Sequence, residues 1–120
     1  MFISQELIRR GNVFMADLDR PSGGELGYRR PVIIIQNNDY IDECPTVLVA
    51  VISGRTLRNP SEMHIECQYK SNGQIVTIML EHLRAIDKSR LVRYCATLCD
   101  DGMGAIDKAL RLVMGIPEDH

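Results

Sequence analysis

Tryptophan is absent from this 120-residue chain, and aromatic residues as a whole are few, with two Phe and four Tyr. A core must therefore be built from aliphatic side chains, and a broad aromatic platform for stacking single-stranded nucleic acid is disfavoured. Neither sign of charge dominates: 14 Lys and Arg face 16 Asp and Glu, a formal net charge of −2. No global field announces a polyanionic ligand, so a nucleic-acid site has to be local. The four cysteines (Cys44, Cys67, Cys95 and Cys99) include no C-x-x-C pair and no histidines at zinc spacing. No apolar run approaches the roughly 18 residues that span a bilayer, so no membrane partner is expected. The opening MFISQELIRR carries charge within its short apolar stretch and does not read as a secretory signal. Reduced thiols and a cytoplasmic location are the expectation. The length fits a single domain over 1–120 with a real core.

What the chain does have is a series of short β signals followed by one helical one. Residues 13–18 (VFMADL), 31–36 (PVIIIQ) and 46–53 (TVLVAVIS) are apolar, β-branched runs of strand length. Pro31 fits the first position of its strand, where a missing N–H costs no central ladder bond. Residues 63–67 and 75–80 predict two further strands around the turn signal SNG at 71–73, and 85–87 a short one. The stretch 92–98 is open between strand and helix. Asp100 or Asp101 can cap a helix in which Met103, Ile106, Leu110 and Val113 recur every three or four residues, with Gly115 and Pro117 closing it. The fold class is mainly β (α+β): a small barrel or twisted sheet with a C-terminal α-helix packed on it.

The candidate chemistry gathers around GGELGYRRPVIII at 23–35. Arg29 and Arg30 are adjacent, and neighbours on a strand point to opposite faces, so only one of them can serve a given site. Pro31 restricts Arg30 to extended backbone angles, which fixes its direction. A guanidinium presents a donor fork matched to phosphate oxygens; the plain alternative is a solvated loop charge. Glu25, in the loop before them, reads either as a salt-bridge partner or as a base. Ser53 ends a strand before Gly54 and Arg55, without the Gly-x-Ser-x-Gly context of a serine hydrolase. It is a turn hydroxyl or a support beside a phosphate. His64 and His82 are the internal histidines; they are structural residues or an acid–base pair. Arg84, Lys88, Arg90 and Arg93 form a basic stretch, a solvated face or a source of local potential for RNA.

Four blocks taken together, RGNVFMADL at 10–18, GELGYRRPVIIIQN at 24–37, PTVLVAVIS at 45–53 and LEHLRAIDKSRL at 80–91, resemble the MazF/PemK family of toxin endoribonucleases. The resemblance runs from Arg10 to about Gly115. It implies a compact SH3-like barrel with a C-terminal helix, acting as a homodimer, a single-stranded RNA substrate cut at short preferred sequences, and no metal or cofactor. It also implies a MazE-like antitoxin whose C-terminal segment lies across the RNA groove. By the same resemblance the catalytic arginine is Arg30, the catalytic hydroxyl Ser53, where Thr is usual, and the family's Ser-Glu-Gln loop is Gly24-Glu25-Leu26. Gly24, Arg29, Asn37, Arg55, Glu81 and His82 are the candidate RNA-binding set, with Asn37, Glu81 and His82 placed to read base edges. The family's Leu-Glu-Gln reads Leu80-Glu81-His82 here, which bears on base preference more than on the reaction.

The chemistry agrees with that implication. RNA carries its own nucleophile, the 2′-hydroxyl, so a ribonuclease needs only to align it and to stabilise charge on the phosphorane. Arg30 can supply the stabilisation, Ser53 can hold the phosphate or relay a proton, and Glu25 is the first candidate for the base. A reading from another class is a CcdB-like, non-enzymatic toxin that inhibits DNA gyrase through a protein surface on the C-terminal helix and does not need Arg30. A third is an RNA-binding module without activity.

Overall fold

A computed structural model of the chain describes residues 3–19, 23, 28–54, 57 and 61–117. Among these residues there are six strands: β1 (Asn12–Asp17), β2 (Arg29–Ile34), β3 (Thr46–Ser53), β4 (His64–Gln68), β5 (Ile75–Asp87) and β6 (Leu91–Thr97). One α-helix follows, α1 (Asp100–Met114). The strands form a single antiparallel sheet in the order β4-β5-β3-β2-β1-β6. The mainly β class with a C-terminal helix is what the sequence led to.

Closure is where the structure departs from the expected barrel. The sheet is open, with β4 and β6 as edges, and those edges meet at one end only. There Tyr69 and Leu98 form an isolated antiparallel bridge. The Lys70 N–H donates to the Thr97 carbonyl at 2.8 Å, and the Cys99 N–H to the Gln68 carbonyl at 2.9 Å. Contact goes no further because β6 gives way to α1 at Asp100 while β4 runs into the turn at 70–73. Residues 92–98 lie in β6 and its terminal bridge, so the helical alternative falls. Residues 85–87 are the far end of one 13-residue β5 rather than a separate strand. Pro31 is the third residue of β2, since the strand begins at Arg29.

Both faces of the sheet are covered, which explains why the central strands read as continuous apolar runs. On one face Val13, Ile33, Ala50, Ile52, Ile78 and Leu80 pack against Ile106 and Ala109 of α1. The partly buried Met103, Leu110 and Val113 complete that stripe, as the helical spacing required. Gly102 lets the helix approach: a Cβ there would meet Cys67 Sγ at 3.0 Å and Leu98 Cδ2 at 3.2 Å. The helix ends at Gly115 in the left-handed conformation, where its N–H and that of Ile116 satisfy the Arg111 carbonyl. On the other face Phe14, Val32, Ile34, Val49, Val51 and Met79 pack with Ile8, Ile41 and Leu91.

Candidate active site

The site begins with a missing hydrogen-bond donor. β2 pairs with β1 from Asp17–Arg29 to Val13–Ile33, but its ladder with β3 runs only from Val32–Val51 to Ile34–Val49. The ladder stops next to Pro31, which has no N–H to extend it. Beyond it the ends of β2 and β3 separate into a cleft of about 390 Å³, lined by Tyr28, Arg29, Arg30, Pro31, Ile52, Ser53 and Gly54. Continuing the same register sets Arg30 opposite Ser53. Their faces agree as well: Val32 and Val51 bury in one cluster, and Arg30 and Ser53 extend that alternation by two residues. Both are half-buried, and on its other side Ser53 pairs with Thr77, the buried polar residue of β5.

Strand alternation also separates the two arginines. Arg29 pairs with Asp17 and is exposed. Besides bordering the first cleft it lines a second, with Asp17, Asp19, Asp87, Ser89 and Arg90. That second cleft is dominated by carboxylates and their ties: Arg90 pairs with Asp19, and the Ser89 N–H donates to Asp87 at 2.9 Å. The Ser89 N–H holds the Asp87 carboxyl below the usual carboxylate range. Arg30 therefore shares a cleft with Ser53, whereas Arg29 also stands among acids.

The loop that leads into this site has a strained neck. Asp19 and Tyr28 both have φ of 61°, the left-handed region that glycine adopts freely and bulky residues avoid. The Leu18 N–H donates to the Tyr28 carbonyl at 2.9 Å, and the Tyr28 N–H donates back to the Asp19 carbonyl. Gly24, Glu25 and Arg55 lie outside the described residues.

A second constellation sits on β4 and β5. Between the pairs Ala50–Leu83 and Val51–Met79, β5 carries three residues that face none on β3: Leu80, Glu81 and His82. This bulge turns Glu81 out to solvent while Leu80 stays in the core, held by its N–H on the Met63 carbonyl at 3.0 Å. Glu81 then meets His64 of β4. The Ser61 N–H donates to His64 Nδ1 at 2.9 Å, so the ring proton sits on Nε2 and is donated to Glu81 Oε2. His82 is half-buried beside it. The two histidines are thus not paired with each other as an acid–base couple; the partner of His64 is Glu81.

Asn37 is not brought to the cleft. It caps the short 3-10 turn Asn38–Tyr40, accepting from the Asp39 N–H at 2.9 Å. It lies three residues beyond the end of β2 and does not line the cleft. Sequence reasoning passed over Tyr28 and Thr77 and left His64 as a bland alternative. An aromatic beside a doubled arginine was a usable signal for the first. Nothing in the spacing of His64 and Glu81 announced that a bulge would join them.

An open antiparallel sheet with one terminal helix, carrying an arginine–hydroxyl cleft where two strands part, defines a small α+β protein suited to an anionic ligand. The chain belongs to the PemK-like, MazF-like toxin family of type II toxin–antitoxin systems, whose model matches residues 9–114. Solved structures share the fold. An endoribonuclease from a mycobacterial species in complex with its cognate antitoxin is 20% identical, with a TM-score of 0.74, over 92% of this chain and 98% of that one. MazF from Deinococcus radiodurans is 18% identical with a TM-score of 0.74, over 89% of this chain and 96% of its own. The Mycobacterium tuberculosis toxin MazF-mt6 is 17% identical with a TM-score of 0.72, over 89% and 99%.

Proposed function

We propose that this toxin is an endoribonuclease that cleaves single-stranded RNA at short preferred sequences without a metal. The observation that carries the reading is that Arg30 and Ser53 line one cleft, where β2 and β3 part beside Pro31. In the reaction the 2′-oxygen attacks the adjacent phosphorus and the bond from phosphorus to the 5′-oxygen breaks. The products are a 2′,3′-cyclic phosphate and a 5′-hydroxyl. The 2′-hydroxyl proton goes to a base, for which Glu25 is the candidate, and a proton is delivered to the leaving 5′-oxygen. Arg30 stabilises the charge that grows on the non-bridging oxygens, and Ser53 holds the phosphate or relays a proton. Glu81, turned outward on the bulge and oriented by His64, accepts from the edge of a base splayed into the groove, with His82 beside it. Arg29, which borders the cleft, and Arg55 are further candidates for RNA contact.

Family membership supports a cognate antitoxin as partner, and solved relatives include complexes of MazE with MazF. The chain acts as one domain, in a homodimer. A reading as a non-enzymatic toxin draws on one feature, the exposed Leu112, Met114 and Ile116 at the end of α1, which would suit a protein surface. One experiment separates the two. The purified protein is incubated with a long single-stranded RNA in excess EDTA, beside an Arg30→Ala control. Cleavage by the native protein and not by the control is the expected result. RNA left intact in both lanes would sink the nuclease reading, and cleavage abolished by EDTA would sink its metal-free form.

A further inference from the structure

We infer that Tyr28 is the stacking surface for a nucleobase next to the phosphate held at Arg30 and Ser53; this rests on the nuclease reading of that cleft. Three observations converge on the ring. It lines the cleft together with both residues. It is 65% exposed, so no burial in the core holds it. Its backbone is in the left-handed region, where glycine would sit without penalty, and hydrogen bonds on both its N–H and its carbonyl keep it there. Strain of this kind persists where a side chain is needed at a place its backbone disfavours.

The chemistry that suits such a pocket is a flat apolar face beside a cationic fork. A guanidinium takes the phosphate, and an aromatic ring takes the base attached to it; every base has a π-face, so the contact tolerates sequence. The edge of the same base stays available to polar groups. Tyr40 and Tyr94 are also exposed, but neither lines the cleft. One ring at the phosphate site supplies a single stacking position in a chain too poor in aromatics for a platform.

Binding to a short 2′-O-methyl RNA of mixed sequence, which lacks the attacking hydroxyl, isolates the contact from cleavage. Tyr28→Phe keeps the native affinity, whereas Tyr28→Gly weakens binding roughly 5- to 150-fold, the range for losing one stacked base. Because glycine also relieves the backbone, the Tyr28→Gly protein melts at a higher temperature than the native one; a purely structural ring would lower stability and affinity together. The chain has no tryptophan, so Tyr28→Trp places its sole indole in the cleft, and saturating RNA quenches that emission. Native affinity in the Tyr28→Gly protein, loss in Tyr28→Phe equal to that in Tyr28→Gly, or indole emission unmoved by saturating RNA would each overturn the proposal. The nuclease reading is judged separately by cleavage of long RNA with the Arg30→Ala control, so either can fall alone.

Discussion

The two faces of this sheet are covered by different means. One carries the 15-residue α1, which lays a regular stripe centred on Ile106 and Ala109 over the strands. The other is covered by Ile8 and Ile41 from irregular segments, with Ile3 and Leu57 packed beside them. Those segments are held by polar ties: Gln5 and Arg9 both donate to Asp42 at 3.2 Å, the Gln36 amide donates to the Tyr40 carbonyl, and Lys88 reaches the Ile41 carbonyl. The Arg30–Ser53 cleft continues the irregularly covered face, whereas on the helix side a smaller cleft of about 280 Å³ lies between the end of β4 and the start of α1, lined by residues that include Cys67, Gln68, Cys99 and Gly102. In physical terms, the regular face supplies cohesion, and the irregular face supplies an edge at which a strand pair can separate and hold a ligand.

If that division holds, activity and stability should break independently. The largest effect is expected at Arg30. Arg30→Ala removes the donor aimed at the phosphorane and lowers the cleavage rate about 10²–10³-fold, as loss of a donor to a developing oxyanion does elsewhere. Its melting temperature stays near the native value. Rate constants and thermal melts on the same preparations check both halves. Next in size is Ile106→Ala on the helix face. Truncating this fully buried side chain costs about 2–5 kcal/mol of stability. Cleavage per folded molecule stays unchanged, measured below the variant's transition. A variant equally crippled in both properties would show that the faces are not separable.

The β elements were legible because both-face burial leaves long apolar runs in β2, β3 and the first half of β5, and the helix because Met103, Ile106, Leu110 and Val113 keep one face. Pro31 was legible as a strand-limiting residue, although it limits one ladder from inside β2 instead of starting the strand. The open edge was not legible: whether β4 and β6 join depends on where the twist carries Tyr69 and Leu98, a long-range property with no local signature. The bulge at Leu80-Glu81-His82 was hidden for a related reason, since it exists only as a mismatch of count between β3 and β5. Arg30 and Ser53 were candidates from the residues alone and took catalytic roles by resemblance, while the cleft that both line is a property of the fold.

A smaller effect is expected at the bulge. Glu81→Gln removes the charge from an acceptor that His64 orients, and losing a charge-assisted hydrogen bond of about 1.5 kcal/mol corresponds to roughly tenfold. The change falls on site choice: mapped cleavage ends shift among sequences while the rate on the new preferred site stays near the native one. His64→Phe, which keeps a ring and removes the donated hydrogen bond, shifts the ends in the same direction. Sequencing of the cut ends from both variants checks this. An unchanged pattern in Glu81→Gln would take base reading away from β5 and leave it to the cleft and its loop.

The smallest effects are expected in the pH dependence of stability, and they have opposite signs on the two faces. On the irregular face, the Gln5 amide and then the Arg9 guanidinium hold the Asp42 carboxyl below its ordinary value of 3.8. A lowered folded value means that this stability is complete above the unfolded value and is lost as pH falls through the folded one. On the helix face, burial pushes the Cys67 thiol from 9.0 up to about 11 and also raises the Tyr69 hydroxyl. A raised folded value means that the contribution is complete below the unfolded value and is lost as pH rises, here between 9.0 and about 11 for Cys67. Thermal melts across both ranges should therefore show an acid limb that flattens in Asp42→Asn and an alkaline limb that flattens in Cys67→Ala. Asp42 is surface-exposed, so its limb is the shallower and fades with added salt, whereas the buried thiol's limb persists. If Asp42→Asn flattened the alkaline limb, or Cys67→Ala the acid one, the two faces would be coupled through the sheet rather than stabilised separately.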